Sequence, residues 1–125
     1  MLYSRVVGVV VICCYSPTNI AEEDEVERLY NELSSLVRQI PHHNVTMICG
    51  DFNAHSSLWD EHLPTDNRGE EMEDWVIDKD LTILNEGDYT RINRATGGLS
   101  TPDVTLCGSS WSNKFSWMTI DGIGN

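Results

Sequence analysis

Positive charge is scarce in this chain. Eight Lys and Arg stand against twenty Asp and Glu, a formal net charge of -12. A protein that grips nucleic acid through a basic surface neutralises many phosphates with Lys and Arg, and this composition disfavours that mode. An acid excess suits divalent cations, and it is equally what a merely well-solvated surface carries. The four cysteines contain no C-x-x-C pair, which argues against a zinc cluster. Cys13 and Cys14 are adjacent, and neighbours on a strand face opposite ways, so the four do not resemble a disulfide framework; they read as reduced, buried thiols of an intracellular protein. No apolar run is long enough to span a membrane as a helix. Repeats, linkers and low-complexity tracts are missing too. What remains is one domain's worth of ordinary globular sequence, with enough length to bury a core.

The stretch that stands out is Met47-Ile48-Cys49-Gly50-Asp51-Phe52-Asn53-Ala54-His55. It is an apolar run that stops at a glycine and at once presents an acid, an amide and an imidazole. This predicts a buried strand delivering polar groups to a sheet edge, where ligands of open α/β sheets collect. The glycine permits close approach of backbone or ligand. Phe52 is expected to point inward, leaving Asp51 and Asn53 together on the other face.

Upstream, Arg5 followed by the apolar run Val6 to Cys14 has the pattern of a secretory signal peptide, and equally that of a strand buried on both faces. Ser16-Pro17-Thr18-Asn19 ends it with turn chemistry. Asn19 and Glu22 have capping-box spacing, and the acids from Glu22 to Glu25 suit the first turn of a helix, so that acidic run is a solvated helix start. Val26, Leu29, Tyr30, Leu33, Leu36, Val37 and Ile40 form a helical stripe closed by Pro41. Strand, helix and the Val45 to Cys49 strand predict a βαβ-type unit with parallel strands and a right-handed crossover.

Ser56 to Asp66 reads as a long loop, polar apart from Leu58, Trp59, Leu63 and Pro64. Asn67 and Glu70 repeat the capping-box spacing, with Asn67 as the cap of a second helix carrying Met72, Trp75, Val76 and Lys79. Leu81 to Leu84 predicts a strand. Tyr89 to Arg94 and Thr101 to Cys107, joined through Ala95-Thr96-Gly97-Gly98, predict an antiparallel hairpin, and Pro102 an edge position for its second arm. Lys114 to Asp121 predicts a last strand.

Gly50-Asp51-Phe52-Asn53-Ala54-His55, the upstream Tyr15-Ser16-Pro17, and the downstream Thr90 and Ser100-Thr101-Pro102-Asp103-Val104-Thr105-Leu106 resemble the endonuclease/exonuclease/phosphatase superfamily in order and spacing. The closest likeness is to the apurinic-endonuclease-like domain of non-LTR (LINE-type) retrotransposons. Asn67-Arg68-Gly69, Leu84-Asn85 and Tyr89-Thr90-Arg91 extend it along most of the chain. The resemblance implies an α/β fold, a DNase I-like four-layered sandwich of two mixed sheets with helices outside. It also favours an internal strand over a signal peptide for Val6 to Cys14. The family places a metal-binding Glu before that first strand and a closing Ser-Asp-His after the last. Neither is in the sequence, so residues 1–125 are expected to be a single partial domain, its central part.

By the same resemblance Asp51 orients or deprotonates the attacking water or takes a metal, and Asn53 donates to the phosphate or positions Asp51. A phosphorane-like transition state gathers charge on its oxygens and needs such fixed groups around it. The structural alternative for both is an Asx turn after a strand. Tyr15 is expected to donate to a phosphate oxygen or hold the leaving group; its alternative is a core tyrosine with a wet tip. Asp103 would orient the family's histidine. Thr90 and Ser100 match positions that turn hydroxyls toward the DNA backbone, with ordinary strand chemistry as their alternative. Asn67, Arg68 and His55 complete the substrate-binding set, although a helix cap already explains Asn67, and His55 has packing below the site as its alternative. His42 and His43 read as solvated loop residues.

These expectations describe a Mg²⁺- or Mn²⁺-dependent endonuclease that nicks a DNA strand to prime reverse transcription. Its partners would be DNA and the rest of a retrotransposon polyprotein, including reverse transcriptase, with no membrane and a nuclear or cytoplasmic location. The alternatives are a phosphatase or phosphodiesterase of the same superfamily, or a non-catalytic remnant that only binds.

Overall fold

The computed structural model describes residues 8–16, 23–60, 63–85, 91–92, 99–100 and 103–118. The β-branched run near the start forms strand β1 (Val9–Tyr15), and the helical stripe forms α1 (Glu23–Gln39). Strand β2 (Val45–Asp51) follows and pairs in parallel with β1, as the βαβ pattern requires. Asn19, the expected cap of α1, lies outside the described residues.

Helix α2 (Asn67–Asp78) and strand β3 (Leu81–Ile83) come next, then the short strands β4 (Arg91–Ile92) and β5 (Leu99–Ser100), strand β6 (Asp103–Gly108) and a 3-10 helix at Ser109–Lys114. The main sheet has the order β1-β2-β6-β3, with β6 antiparallel to both of its neighbours. A two-stranded ribbon of β4 and β5 makes the second sheet among the described residues.

This corrects the expected hairpin. The partner of β4 is β5, whereas Asp103–Gly108 is an interior strand of the main sheet. Val104, Leu106 and Cys107 are fully buried, and that burial outweighs the local turn signal in deciding the pairing. Of the expected last strand, Lys114 ends the 3-10 helix and residues 115–118 join no ladder, while 119–121 lie outside the described residues.

Alternation along the strands decides what each face does. Ile12, Ile48, Leu106 and Ile83 form one row across the sheet by their register. That face carries the core, where Ile48, Val104 and Leu106 meet Leu33 of α1 and Met72, Trp75 and Val76 of α2. Burying each such side chain contributes roughly 1.5–3 kcal/mol. The two helices are tied by the Trp75 Nε1–H, which donates to Ser34 Oγ at 2.9 Å, and by the Tyr30 and Trp75 rings at 5.2 Å.

On the opposite face β1 is open. Val9 is 57% and Val11 55% exposed, so the strand is not buried on both sides as its composition predicted. Among the described residues it lies at the sheet edge, with helices over one face only. The thiols follow suit: Cys13 is exposed, Cys14 and Cys49 half-buried, and only Cys107 buried. Burial is the leading cause that pushes the Cys14 thiol up to about 12.

The loop before α2 is built as firmly as an element. Trp59 is 1% exposed and its Nε1–H donates to Ala54 O at 3.2 Å. Ser56 is buried and donates its hydroxyl to Glu73 Oε1 of α2. The cap of α2 is Asp66 and not Asn67, which is the first helical residue. Asp66 Oδ1 accepts the Gly69 N–H at 2.7 Å and the His55 N–H at 3.1 Å. An aspartate can do both because its carboxylate accepts from two donors at once.

Asp66→Ala is therefore expected to cost about 1–3 kcal/mol, because it removes the cap and strands a second N–H. Asn67→Ala should stay within about 0.5 kcal/mol, as a substitution of an exposed residue that does not itself cap the helix. Urea unfolding of the two variants checks this; the reverse order would return the cap to Asn67.

Candidate functional site

The register of the main sheet brings three of the expected site residues into one row. Tyr15 pairs with Asp51, and Asp51 pairs with Asp103, so a tyrosine and two aspartates occupy one register row across three adjacent strands. Parallel β1 and β2 both finish here and antiparallel β6 begins here. This is the carboxyl end of the parallel pair, where sheet ligands collect.

Local geometry just beyond the row is set by Gly50 and Asn53. Gly50 has φ +153°, and a Cβ built on it would lie 1.8 Å from the Cys14 carbonyl oxygen, so only glycine fits between the strands at that point. Asp51 Oδ1 accepts the Asn53 N–H at 2.9 Å, which is the Asx turn that the sequence offered as the structural alternative. Asn53 has φ 48°, the left-handed region that Asn tolerates better than most side chains. Its side chain donates from Nδ2 to Ser16 O at 2.8 Å, while the Ser16 N–H donates to Asp51 O at 2.7 Å.

Turn and site are thus compatible. The two exits, after Tyr15 and after Asp51, are stitched together by Asn53 and Ser16, and Asp51 is held in one orientation. Phe52 points inward at 1% exposure and stacks on Tyr30, with ring centroids 6.5 Å apart.

Tyr15 is 71% exposed at the sheet edge, not a core tyrosine with a wet tip. Beside it a shallow cleft of about 290 Å³ runs along α1, lined by Glu25, Arg28, Leu29 and Glu32. Asp103 is exposed, and its strand is fixed by Asn85. The Asn85 side chain donates to Asp103 O at 2.9 Å and accepts the Thr105 N–H at 2.8 Å, continuing the β3–β6 ladder past the end of β3. Sequence reading noted Leu84-Asn85 but gave Asn85 no role; an amide directly after a short strand was the available signal.

Three members of the substrate-binding set cluster at the start of α2. The His55 N–H is tied to Asp66, the His55 carbonyl accepts the Asp66 N–H at 3.0 Å, and a Cβ on Gly69 would sit 1.8 Å from that carbonyl. His55 is therefore locked by its backbone, and its Nδ1 is buried with no hydrogen-bond partner among the described residues. Arg68 is half-buried in the first turn of α2. Burial chiefly raises the Tyr30 phenol, the Cys14 thiol and Glu71 add to it, and Arg68 acts the other way, so its guanidinium lies within electrostatic reach of Tyr30. Asn67 is exposed beside it.

Thr90 lies outside the described residues, and Ser100 takes part in the ribbon through its pairing with Arg91. Among the described residues no group of three or more His, Cys, Asp or Glu converges to hold a metal ion. None of the described helices is long and apolar enough to cross a membrane.

A sequence model of the endonuclease-reverse transcriptase family matches residues 9–122, nearly the whole chain and all of this geometry. The chain belongs to that family. Among solved structures it is similar to the endonuclease domain of TRAS1, a telomere-specific non-LTR retrotransposon, at 27% identity and a TM-score of 0.59. That match covers 70% of this chain and 41% of the TRAS1 domain, so the chain spans less than half of that relative's length. The mixed α/β architecture accordingly matches the DNase I-like endonuclease fold. No curated protein sequence matches the chain significantly.

Proposed function

We propose that the chain serves in one domain as a divalent-metal-dependent DNA endonuclease, hydrolysing a phosphodiester to nick a strand whose freed end primes reverse transcription. The observation that carries this reading is the row of Tyr15, Asp51 and Asp103 at one sheet end, with Asn53 fastening the adjoining loops.

Asp51 orients the attacking water and accepts its proton as the oxygen closes on phosphorus. The Asx turn supports this role, because a carboxylate already fixed by a backbone N–H need not reorganise during the reaction. Asn53 holds the Asp51 turn against the exit of β1 and turns its remaining amide capacity to a phosphate oxygen. Tyr15, open to solvent, donates its hydroxyl to a non-bridging oxygen or to the leaving oxygen. Asp103 orients a histidine imidazole as the partner carboxylate of such a pair. Arg68, with Asn67, Thr90, Ser100 and His55, engages the flanking backbone.

The donor set fits a magnesium ion bound by few protein ligands. Mg²⁺ or Mn²⁺ of this kind is held through one or two carboxylates plus substrate oxygens, and Asp51 would hold it as the alternative to taking the water's proton. When bound, the ion supplies Lewis-acid stabilisation of charge on the phosphoryl oxygens. Cation binding also offsets part of the repulsion between DNA and a chain of net charge -12. The remainder of the polyprotein, with its reverse transcriptase, and a nuclear or cytoplasmic location complete the proposal.

The test is relaxation of supercoiled plasmid in Mg²⁺ by the natural polypeptide that contains this chain. Asp51→Asn, which keeps an oxygen to accept the Asn53 N–H, is expected to lower nicking by about 10²-fold or more while leaving thermal unfolding nearly unchanged. Unchanged nicking would remove Asp51 from the site. Hydrolysis of phosphomonoesters without nicking would replace the endonuclease reading with a phosphatase.

A further inference from the structure

The site leaves one chemical pair unused. Cys13 of β1 and Cys49 of β2 are register partners, and their Sγ atoms lie 3.5 Å apart on the face of the sheet opposite the helices. Neighbouring strands run about 4.7–4.9 Å apart. That spacing falls within the roughly 4.4–6.8 Å between Cα atoms that a disulfide accepts, and the sulfurs, 3.5 Å apart, close to about 2 Å on bonding. Cys13 is exposed, which lets an oxidant reach it.

We propose that Cys13 and Cys49 form a reversible disulfide that clamps β1 to β2 next to the Tyr15 and Asp51 row. The other two cysteines are excluded by position. Cys14 points to the core face and pairs with Gly50, and Cys107 is fully buried opposite Met47.

With glutathione disulfide as oxidant the chemistry closes in two exchanges. The Cys13 sulfur, as thiolate, attacks one glutathione sulfur, forming a mixed disulfide and expelling a glutathione thiolate. The Cys49 sulfur then attacks Cys13 Sγ, forming the Cys13–Cys49 bond and expelling the second glutathione. Two protein thiols are oxidised by two electrons, which reduce one glutathione disulfide to two glutathione molecules; the two thiol protons pass to solvent or to the departing thiolates. The bond lies one pleat from Tyr15 and Asp51 and fixes the relative position of the strands that present them.

The full chain, incubated with glutathione disulfide, then alkylated, digested and read by mass spectrometry, tests this. The expected result is a monomer that loses two thiols, yields a Cys13–Cys49 linked peptide, unfolds a few degrees higher, and reverts with dithiothreitol. Cys14→Ser should preserve the link and Cys13→Ser should abolish both the link and the thermal shift. The proposal is overturned by four intact thiols, by arrest at a glutathione adduct, by a bond between two chains, or by a link through Cys14 or Cys107.

Discussion

Gly50→Ala is expected to destabilise the chain by about 3 kcal/mol or more, combining backbone strain with a forced separation of packed strands. The built Cβ lies 1.8 Å from the Cys14 carbonyl oxygen and 2.8 Å from its carbon, both backbone atoms of the paired strand. Neither can yield without parting β1 from β2. The φ of +153° disfavours any side chain even if space were made. Because Gly50 immediately precedes Asp51, the same change would displace the row with Tyr15 and Asp103. Gly108→Ala is the matched control, since its Cβ would meet Trp111 Cδ1 at an ordinary 3.8 Å. Guanidinium unfolding followed by circular dichroism should show a large loss for Gly50 and a small effect for Gly108. Equal midpoints would mean that the strands accommodate a side chain at Gly50.

Trp59→Ala is the second large effect, expected at about 3–5 kcal/mol, the range for emptying a buried aromatic site. The indole is 1% exposed within the core cluster, and it also donates to Ala54 O. Its loss leaves a cavity and an unpaired carbonyl in the segment that links His55 to α2. Trp59→Phe keeps most of the volume and gives up the N–H donor, so it should cost less, about 1–3 kcal/mol. Chemical denaturation read at a core signal separates the two. A Trp59→Ala variant of unchanged stability would mean the loop is not anchored there.

The difference between these positions marks where sequence reading succeeds. Gly50 was legible because an apolar run that ends at glycine, acid and amide has few uses besides a close strand exit. Trp59 was not legible in the same way. Surrounded by Ser56, Ser57 and Asp60, it looked like an isolated aromatic in a polar loop, yet Ser56 and Asp60 are themselves buried. Periodicity reports burial only for regular elements, and a loop whose polar groups are satisfied by Asp66, Glu73 and backbone carries no period to read.

The capping of α2 shows the same limit at finer scale. Asn67 and Glu70 have capping-box spacing, and that local pattern selected Asn67 over Asp66, whose third neighbour Gly69 has no side chain to complete a box. The His55 N–H, eleven residues upstream, makes Asp66 the better cap because one carboxylate then satisfies two donors.

By itself the sequence determined that β1, α1 and β2 form a parallel unit and that Phe52 turns inward. It also identified the Met47 to His55 stretch as the centre of the candidate site and, through the motifs around it, the family. Hydrophobic period and short-range turn chemistry are properties of neighbouring residues, so a linear reading captures them. Only the tertiary structure decided that Asp103–Gly108 enters the sheet between β2 and β3, that Tyr15, Asp51 and Asp103 share a row, and that Cys13 faces Cys49. Each of these depends on register between segments far apart in sequence. A shift of one residue sends every side chain to the other face, and burial of the whole sheet, not any local preference, selects the register.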